Sequence, residues 1–338
     1  MSVGLLGADR PLAELHDLAL VDLDGVAYRG KNPIPYAAEG LAGARGLGMH
    51  LVFVTNNSSR EPGSVAEQLT GLDIPCDPID VMTAAQAAAA VLADRLDLGS
   101  RVLVVGGAGL ATAVREAGFE VVSRADARPA AVVQGYAADV GWPQLAEATY
   151  AIRAGAWFVA SNLDRTLPTE HGFAPGNGSL VAAVQTATDV VPTNCGKPEP
   201  TMYQLAARRH GARNPLVVGD RLDTDLAGAR AADYPGLHVI TGVSSARDAV
   251  LARPAERPHY LAADLRGLLT THPAPLRDGE WWRCGSAAAR VTDGRLELAD
   301  RGTLIDRARA ACAAGWDAAD TGAPFDPDTV PDLAVDEA

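Results

Sequence analysis

Lysine is nearly absent from this chain of 338 residues: only Lys31 and Lys197 occur, and the rest of its 29 basic residues are arginine. Positive charge is short overall, since 42 acidic residues leave a formal net charge of −13. That balance argues against nucleic acid and anionic membrane surfaces as partners, and any phosphate site must be locally electropositive. Cysteine is also scarce. Cys76, Cys195, Cys284 and Cys312 include no close pair, and a chain of this size needs no disulfide staples, so reduced thiols are expected. No apolar run approaches the roughly 20 residues of a membrane span. The first ten residues lack the basic flank and the apolar length of a signal sequence, so a cytoplasmic location is expected.

The scarcity makes Lys197 informative. A solvated surface cation in so arginine-biased a chain would as readily be arginine, whereas a compact ammonium acting as a point charge cannot be exchanged freely for a planar fork.

Length predicts two domains, with room for an appendage. Leu18-Ala19-Leu20-Val21-Asp22-Leu23 is an apolar run ending in a carboxylate and then Gly25, the pattern of a buried strand feeding a loop. Residues 51–55, 101–106, 131–136, 156–162, 216–220 and 238–240 repeat that style. Helix-like segments at 83–96, 110–117 and 143–154 lie between them, which implies parallel α/β layers. Residues 168–179 read as a Pro/Gly/Asn-rich loop and 179–188 as a helix. Beyond Pro273 the texture changes. A hairpin is expected around Thr292-Asp293-Gly294, a helix over 303–313, and a poorly ordered acidic tail over 317–338. Trp281 and Trp282 are expected to anchor this small module's core or to dock it.

Four short segments carry chemistry. Asp22-Leu23-Asp24-Gly25 puts two carboxylates at a strand's carboxyl end, where parallel sheets commonly hold sites. Thr55-Asn56-Asn57-Ser58-Ser59 ends another strand with hydroxyls and amides that can bind phosphate oxygens without adding charge; it reads equally as a helix cap. Gly196-Lys197-Pro198 presents the scarce lysine at a turn before a helix over 201–209. Gly219-Asp220-Arg221-Leu222-Asp223-Thr224-Asp225 brings three more carboxylates to a strand end. Clustered carboxylates repel one another unless a hard cation holds them, and Mg²⁺ takes oxygen ligands of this kind.

In this order the segments resemble the haloacid dehalogenase-like phosphohydrolases, over about Leu18 to Gly242. About 140 residues separate Thr55 from Lys197, room for a large α/β cap inserted there. The resemblance implies a Rossmann-like parallel-sheet core at 1–82 and 191–272, a cap at 83–190 and a small C-terminal module at 273–338. Asp22 is then the nucleophile and Asp24 the general acid and base. The metal, Mg²⁺, is held by Asp22, the Asp24 backbone and Asp220. Thr55, Asn56, Asn57 and Lys197 hold the phosphate, and Asp225, with Asp223 as a stand-in, supports Lys197 and the metal waters. Asp24 favours ester hydrolysis over dehalogenation or ion pumping, and a phosphomutase stays open. In this branch substrate is read by the cap, which makes Asn162, Leu163, Asp164, Arg165 and the loop 175–178 candidates, with His171 beside them. Leu167 stands where relatives acting on pyridoxal phosphate have histidine. Glycerol 3-phosphate or phosphoglycolate is therefore preferred, with nucleotides and pyridoxal phosphate as alternatives. The partner expected is a small phosphorylated metabolite, and a homodimer is left open.

A competing class comes from Val104-Val105-Gly106-Gly107-Ala108-Gly109-Leu110 with Asp126, which has the look of a dinucleotide site. The glycine pattern fails in either register: Thr112 falls on the last glycine, or Ala108 on the second. A tight strand-to-helix turn is the simpler reading. A non-catalytic, partner-binding protein is a third, against which stands the complete set of catalytic residue types.

Overall fold

The computed structural model describes residues 4–169, 171–299 and 301–333; the first three residues and 334–338, where expectations about the amino terminus and the tail also fall, lie outside the described residues. The chain divides into two compact units, Met1–Val52 with Ala207–Ala338, and Phe53–Ala206.

In the first unit the strands Tyr260–Ala262, Gly236–Val239, Pro215–Gly219 and Leu18–Val21 lie in that order, followed by His50–Thr55. Leu18–Val21, Pro215–Gly219 and Gly236–Val239 are buried at every residue, as parallel strands covered on both faces must be, and their pairings are parallel. The Asp22 N–H continues the ladder onto Val218 O at 2.9 Å, so the nucleophile candidate starts where the strand stops. The second half of His50–Thr55 passes into the second unit and pairs there with Val81–Thr83, again in parallel.

The second unit contains the expected cap. Its sheet has the order Thr193–Asn194, Trp157–Ala160, Ala131–Gln134, Arg101–Val105, Glu120–Val122, with every pair parallel. Helices Trp142–Arg153 and Asn177–Thr188 close a core of Leu103, Val105, Val132, Ile152, Phe158 and Val184. This is the α/β architecture expected: a Rossmann-like core sheet and a second α/β layer system. Residues 168–179 are not a plain loop, because Thr166–Thr169 and Gly172–Pro175 pair as an antiparallel hairpin before the helix.

The C-terminal stretch is more ordered than its composition suggests. Leu276–Asp278, Trp281–Cys284, Ala287–Thr292 and Arg295–Ala299 form a four-stranded antiparallel sheet, with the turn at Asp293-Gly294 where expected. The helix runs Leu304–Thr321, well past 313, and Val330 and Leu333 beyond it are buried. The acids that suggested disorder have partners: Asp320 meets Arg257 at 2.7 Å and Asp317 meets Arg277 at 3.3 Å. Trp316 is the fully buried anchor, and Trp282 packs against the same apolar cluster, as expected of it. Trp281 and Trp282 are half-buried beneath Arg290 and Arg277. No helix among the described residues is long and apolar enough to cross a membrane.

Candidate active site

Asp22, Asp220 and Asp225 are all buried, and one carboxylate oxygen from each lies within 4.8 Å of the others. Three carboxylates taken out of water at this separation repel strongly, and an all-oxygen donor set is what Mg²⁺ selects. The residues therefore fit the cation that the sequence called for. Asp24 is not one of the three clustered carboxylates, and its side chain is exposed.

Glycines make this convergence sterically feasible. Gly25 has φ +86°, and a Cβ there would meet Asp220 Oδ2 at 2.5 Å. A Cβ on Gly219 would lie 2.2 Å from Asp225 Cβ, so only glycine lets Asp225 fold back against its own strand end. Leu222–Leu226 form one wide helical turn in which Leu226 N–H reaches Arg221 O at 3.2 Å, a π-type geometry common at functional sites. The turn aims Asp225 inward, where its Oδ2 accepts Arg221 N–H at 3.2 Å, and leaves Asp223 exposed on the Arg221 side chain at 2.8 Å. Although burial works to raise it, the Asp223 carboxyl is held below its ordinary value by the hydrogen bonds and charge of Arg221. Asp225, not Asp223, joins the cluster.

The loop Thr241–Ser245 braces both carboxylate loops, and sequence reasoning missed it. Thr241 Oγ1 donates to Gly25 O at 2.6 Å, Val243 N–H donates to Asp220 Oδ2 at 2.7 Å, and Ser244 N–H donates to Asp220 O at 3.1 Å. A Cβ on Gly242 would fall 1.9 Å from Asp220 Oδ2. The one available signal was a Thr-Gly pair immediately after the apolar strand at 238–240.

In the second unit, Thr55 is buried and its Oγ1 accepts Asn57 N–H at 3.1 Å, which leaves its own hydroxyl proton to donate elsewhere. Asn57 Oδ1 accepts Ser59 N–H and Oγ, both at 2.8 Å. The helix that follows, Pro62–Thr70, takes Glu61 as its cap, so Ser58 and Ser59 are not caps. Asn56 is a hub. Its Oδ1 accepts Lys197 N–H at 2.8 Å, its Nδ2 donates to the Asp164 carboxylate at 3.1 and 3.2 Å, and its O accepts Asn162 Nδ2 at 2.8 Å. Lys197 is buried, and its Nζ donates to Val54 O at 3.3 Å, which settles it as an interior cation and not a solvated one. A Cβ on Gly196 would clash with Ser161 O at 2.6 Å and Asn56 Oδ1 at 2.8 Å, so the Gly-Lys turn needs its glycine.

Of the cap candidates, Asn162 is buried and Asp164 half-buried, both committed to Asn56, whereas Leu163, Arg165 and His171 are exposed. The glycine-rich turn at 106–109 holds no room for a dinucleotide. A Cβ on Gly109 would meet Arg60 O at 2.4 Å, and Gly109 N–H donates to Ser59 O at 3.1 Å. The chain's own backbone fills the space that a pyrophosphate would need.

Buried carboxylates gathered after two neighbouring strands of one parallel sheet fit a hydrolase with a Rossmann-like core that works with a hard cation. A family profile for haloacid dehalogenase-like hydrolases matches residues 19–120, and a HAD-hydrolase-like profile matches 194–268. The chain is 45% identical over 321 residues to the D-glycerol 3-phosphate phosphatase of Mycobacterium tuberculosis, covering 91% of this chain and 88% of that one. The crystal structure of the glycerol phosphate phosphatase of M. tuberculosis with magnesium superposes with a TM-score of 0.85 at 44% identity, covering 91% and 92% of the two chains. An acid sugar phosphatase of Staphylococcus saprophyticus is 33% identical over 252 residues, 74% of this chain and 95% of its own. The chain belongs to the haloacid dehalogenase-like hydrolase family and is an enzyme of its capped phosphatase branch.

Proposed function

We propose that this protein is a Mg²⁺-dependent phosphomonoesterase whose substrate is glycerol 3-phosphate, acting through an aspartyl-phosphate on Asp22. The observation that carries the reading is the buried cluster of Asp22, Asp220 and Asp225. It is supported by similarity over nine-tenths of the chain to the M. tuberculosis enzyme named for that substrate. Bound there by Asp22, Asp220 and the Asp24 backbone, with Asp225 in support, Mg²⁺ supplies charge neutralisation between an anionic nucleophile and an anionic substrate. Asp22 attacks phosphorus while the exposed Asp24 protonates the leaving alkoxide; Asp24 then takes a proton from the water that opens the acyl phosphate. The Thr55 hydroxyl, the Asn56 backbone N–H and the Lys197 ammonium hold the phosphoryl oxygens, and Asn57, whose N–H is given to Thr55 Oγ1, shapes the turn that presents them. The Asn56 side chain, engaged with Lys197 and Asp164, positions them. The domain division at 83–190 and 273, and a cytoplasmic location compatible with four cysteines that form no disulfide with one another, belong to the same proposal.

The test is phosphate release across a metabolite panel with Mg²⁺, including glycerol 3-phosphate, phosphoglycolate, a nucleoside monophosphate and pyridoxal phosphate. Glycerol 3-phosphate is expected to give the highest kcat/KM. No release from any member, or release undiminished by excess chelator, overturns the reading.

A further inference from the structure

Residues beyond 268 lie outside both family profiles, and the acid sugar phosphatase aligns over 95% of its own length with only 74% of this chain. The added residues bear on the carboxylate cluster. Helix Ala246–Val250 directly follows the loop whose Val243 and Ser244 N–H groups hold Asp220. C-terminal residues grip that helix at both ends. At its start, Arg247 donates to Val330 O at 3.1 Å and to Pro327 O at 2.9 Å. At its end, Trp316 Nε1 donates to Ala249 O at 3.0 Å, and Gly315 lets the long helix approach so closely that a Cβ would meet Val250 Cγ1 at 3.0 Å.

The long helix is itself pinned to the core. Buried Arg309 donates to Leu261 O at 2.8 and 3.2 Å, and Arg257 pairs with Asp320. Leu222 and Leu226, which flank Asp223 and Asp225, share one apolar cluster with Ala249, Val250, Ala311 and Trp316. Both the loop holding Asp220 and the turn carrying Asp225 therefore rest on C-terminal side chains.

We propose that the C-terminal helix and the segment after it are a positioning device for the metal site: by clamping Ala246–Val250 they hold the Asp220 carboxylate in place and so raise the affinity for Mg²⁺. This rests on the reading of Asp22, Asp220 and Asp225 as the Mg²⁺ site. Trp316 and Arg247 are not members of the carboxylate cluster, and they act through the backbone of residues 243 and 244.

The experiment uses the full chain and Mg²⁺ alone, titrated by calorimetry into wild type, Trp316→Phe and Arg247→Gln, with melting temperatures recorded in chelator. Trp316→Phe keeps an aromatic ring but loses the indole N–H and part of the ring's buried volume, a packing loss that the melting temperature reports separately from Mg²⁺ affinity. Arg247→Gln removes the other grip from a half-buried position and keeps the test available if the tryptophan variant does not fold. Each variant is expected to bind Mg²⁺ about three- to tenfold more weakly, the effect of losing roughly one net hydrogen bond. The KM for substrate at saturating Mg²⁺ should stay within about twofold, as expected when uniform substrate binding is untouched. A lowered melting temperature with an unchanged Mg²⁺ dissociation constant would make the clamp merely structural and end the proposal. Absence of Mg²⁺ binding by the wild type would instead overturn the proposed function on which it rests.

Discussion

Asn56 and Asp164 face each other through a bifurcated hydrogen bond, Nδ2 to both carboxylate oxygens at 3.2 and 3.1 Å, while Asn56 Oδ1 accepts the Lys197 N–H at 2.8 Å. One amide thereby fixes the lysine turn and the strand end of the second unit's sheet together. Asn56→Asp keeps the acceptor for Lys197 N–H but sets two carboxylates against each other, so kcat/KM should fall by about 100-fold, the scale of a like-charge contact in a poorly solvated site. Asp164→Asn alone should cost about tenfold. The double variant restores one donor facing one acceptor and should recover to within about tenfold of wild type, because contacting residues are not additive. Steady-state kinetics on the four proteins checks this; a double variant no better than Asn56→Asp would refute the hub.

The Gly242 approach to Asp220 gives a sterically sharp prediction. Its φ is not in the left-handed region, so Gly242→Ala brings no backbone strain, only a methyl 1.9 Å from Asp220 Oδ2. The carboxylate must move, since the backbone opposite it cannot. Activity at limiting Mg²⁺ should drop by at least about 100-fold with the fold retained, as overpacking at one exposed loop residue costs only about 1–3 kcal/mol. Circular dichroism together with Mg²⁺-dependent kinetics tests it.

Acid should destabilise the protein through three buried histidines. His238, His259 and His272 are each lowered to about 4, chiefly by burial, with the charges of Arg230 and Arg309 adding to the effect at His259 and His272. The bonding is that of neutral rings: His259 Nδ1 accepts Gly236 N–H at 3.0 Å, and His272 accepts from Arg309 at 3.1 Å while its Nε2 faces Gly267 O at 2.8 Å. An unfolded chain protonates these rings near their ordinary value of about 6.5. Between about 6.5 and 4 the unfolded state binds more protons, so stability rises with pH there and is lost as pH falls through that window. Melting temperatures in chelator should be level above about pH 7 and fall several degrees by about pH 5.5. His272→Gln, which can still donate and accept, should flatten that slope; an unchanged slope would remove His272 as a contributor.

The strands ending in Asp22, Thr55 and Asp220 were legible because fully buried parallel strands are short, unbroken apolar runs, and polar residues at their ends stand out. Lys197 was legible through scarcity. The brace at 241–245 was not, because it acts through the backbone N–H groups of Val243 and Ser244, to which side-chain identity is nearly indifferent. The hairpin within 166–175 was hidden by prolines and glycines that the edge of a two-stranded ribbon tolerates. The tail failed for a different reason. Its acids resemble those of a disordered segment, but Asp317 and Asp320 meet arginines 40 and 63 residues away in sequence, a pairing that local composition cannot register.

The two aspartates of the first motif should separate by substrate. Asp22 is buried in the carboxylate cluster and is assigned both attack and metal binding, so Asp22→Asn should abolish phosphoenzyme and weaken Mg²⁺ binding together. Asp24 is exposed, and its part in metal binding is assigned to the backbone, so Asp24→Asn should leave Mg²⁺ affinity intact and lose only the proton donor. A poor alkoxide leaving group depends on that donor, by about 100-fold or more, far more than a nitrophenolate does. Asp24→Asn should therefore still be phosphorylated by 4-nitrophenyl phosphate much better than by glycerol 3-phosphate. The acyl phosphate it forms should persist, because the same carboxylate is needed to activate water. Rapid-quench trapping of phosphoenzyme with both substrates, beside calorimetric Mg²⁺ titration, decides the matter. Equal losses on the two substrates, or trapped phosphoenzyme in Asp22→Asn, would reverse the roles assigned to the pair.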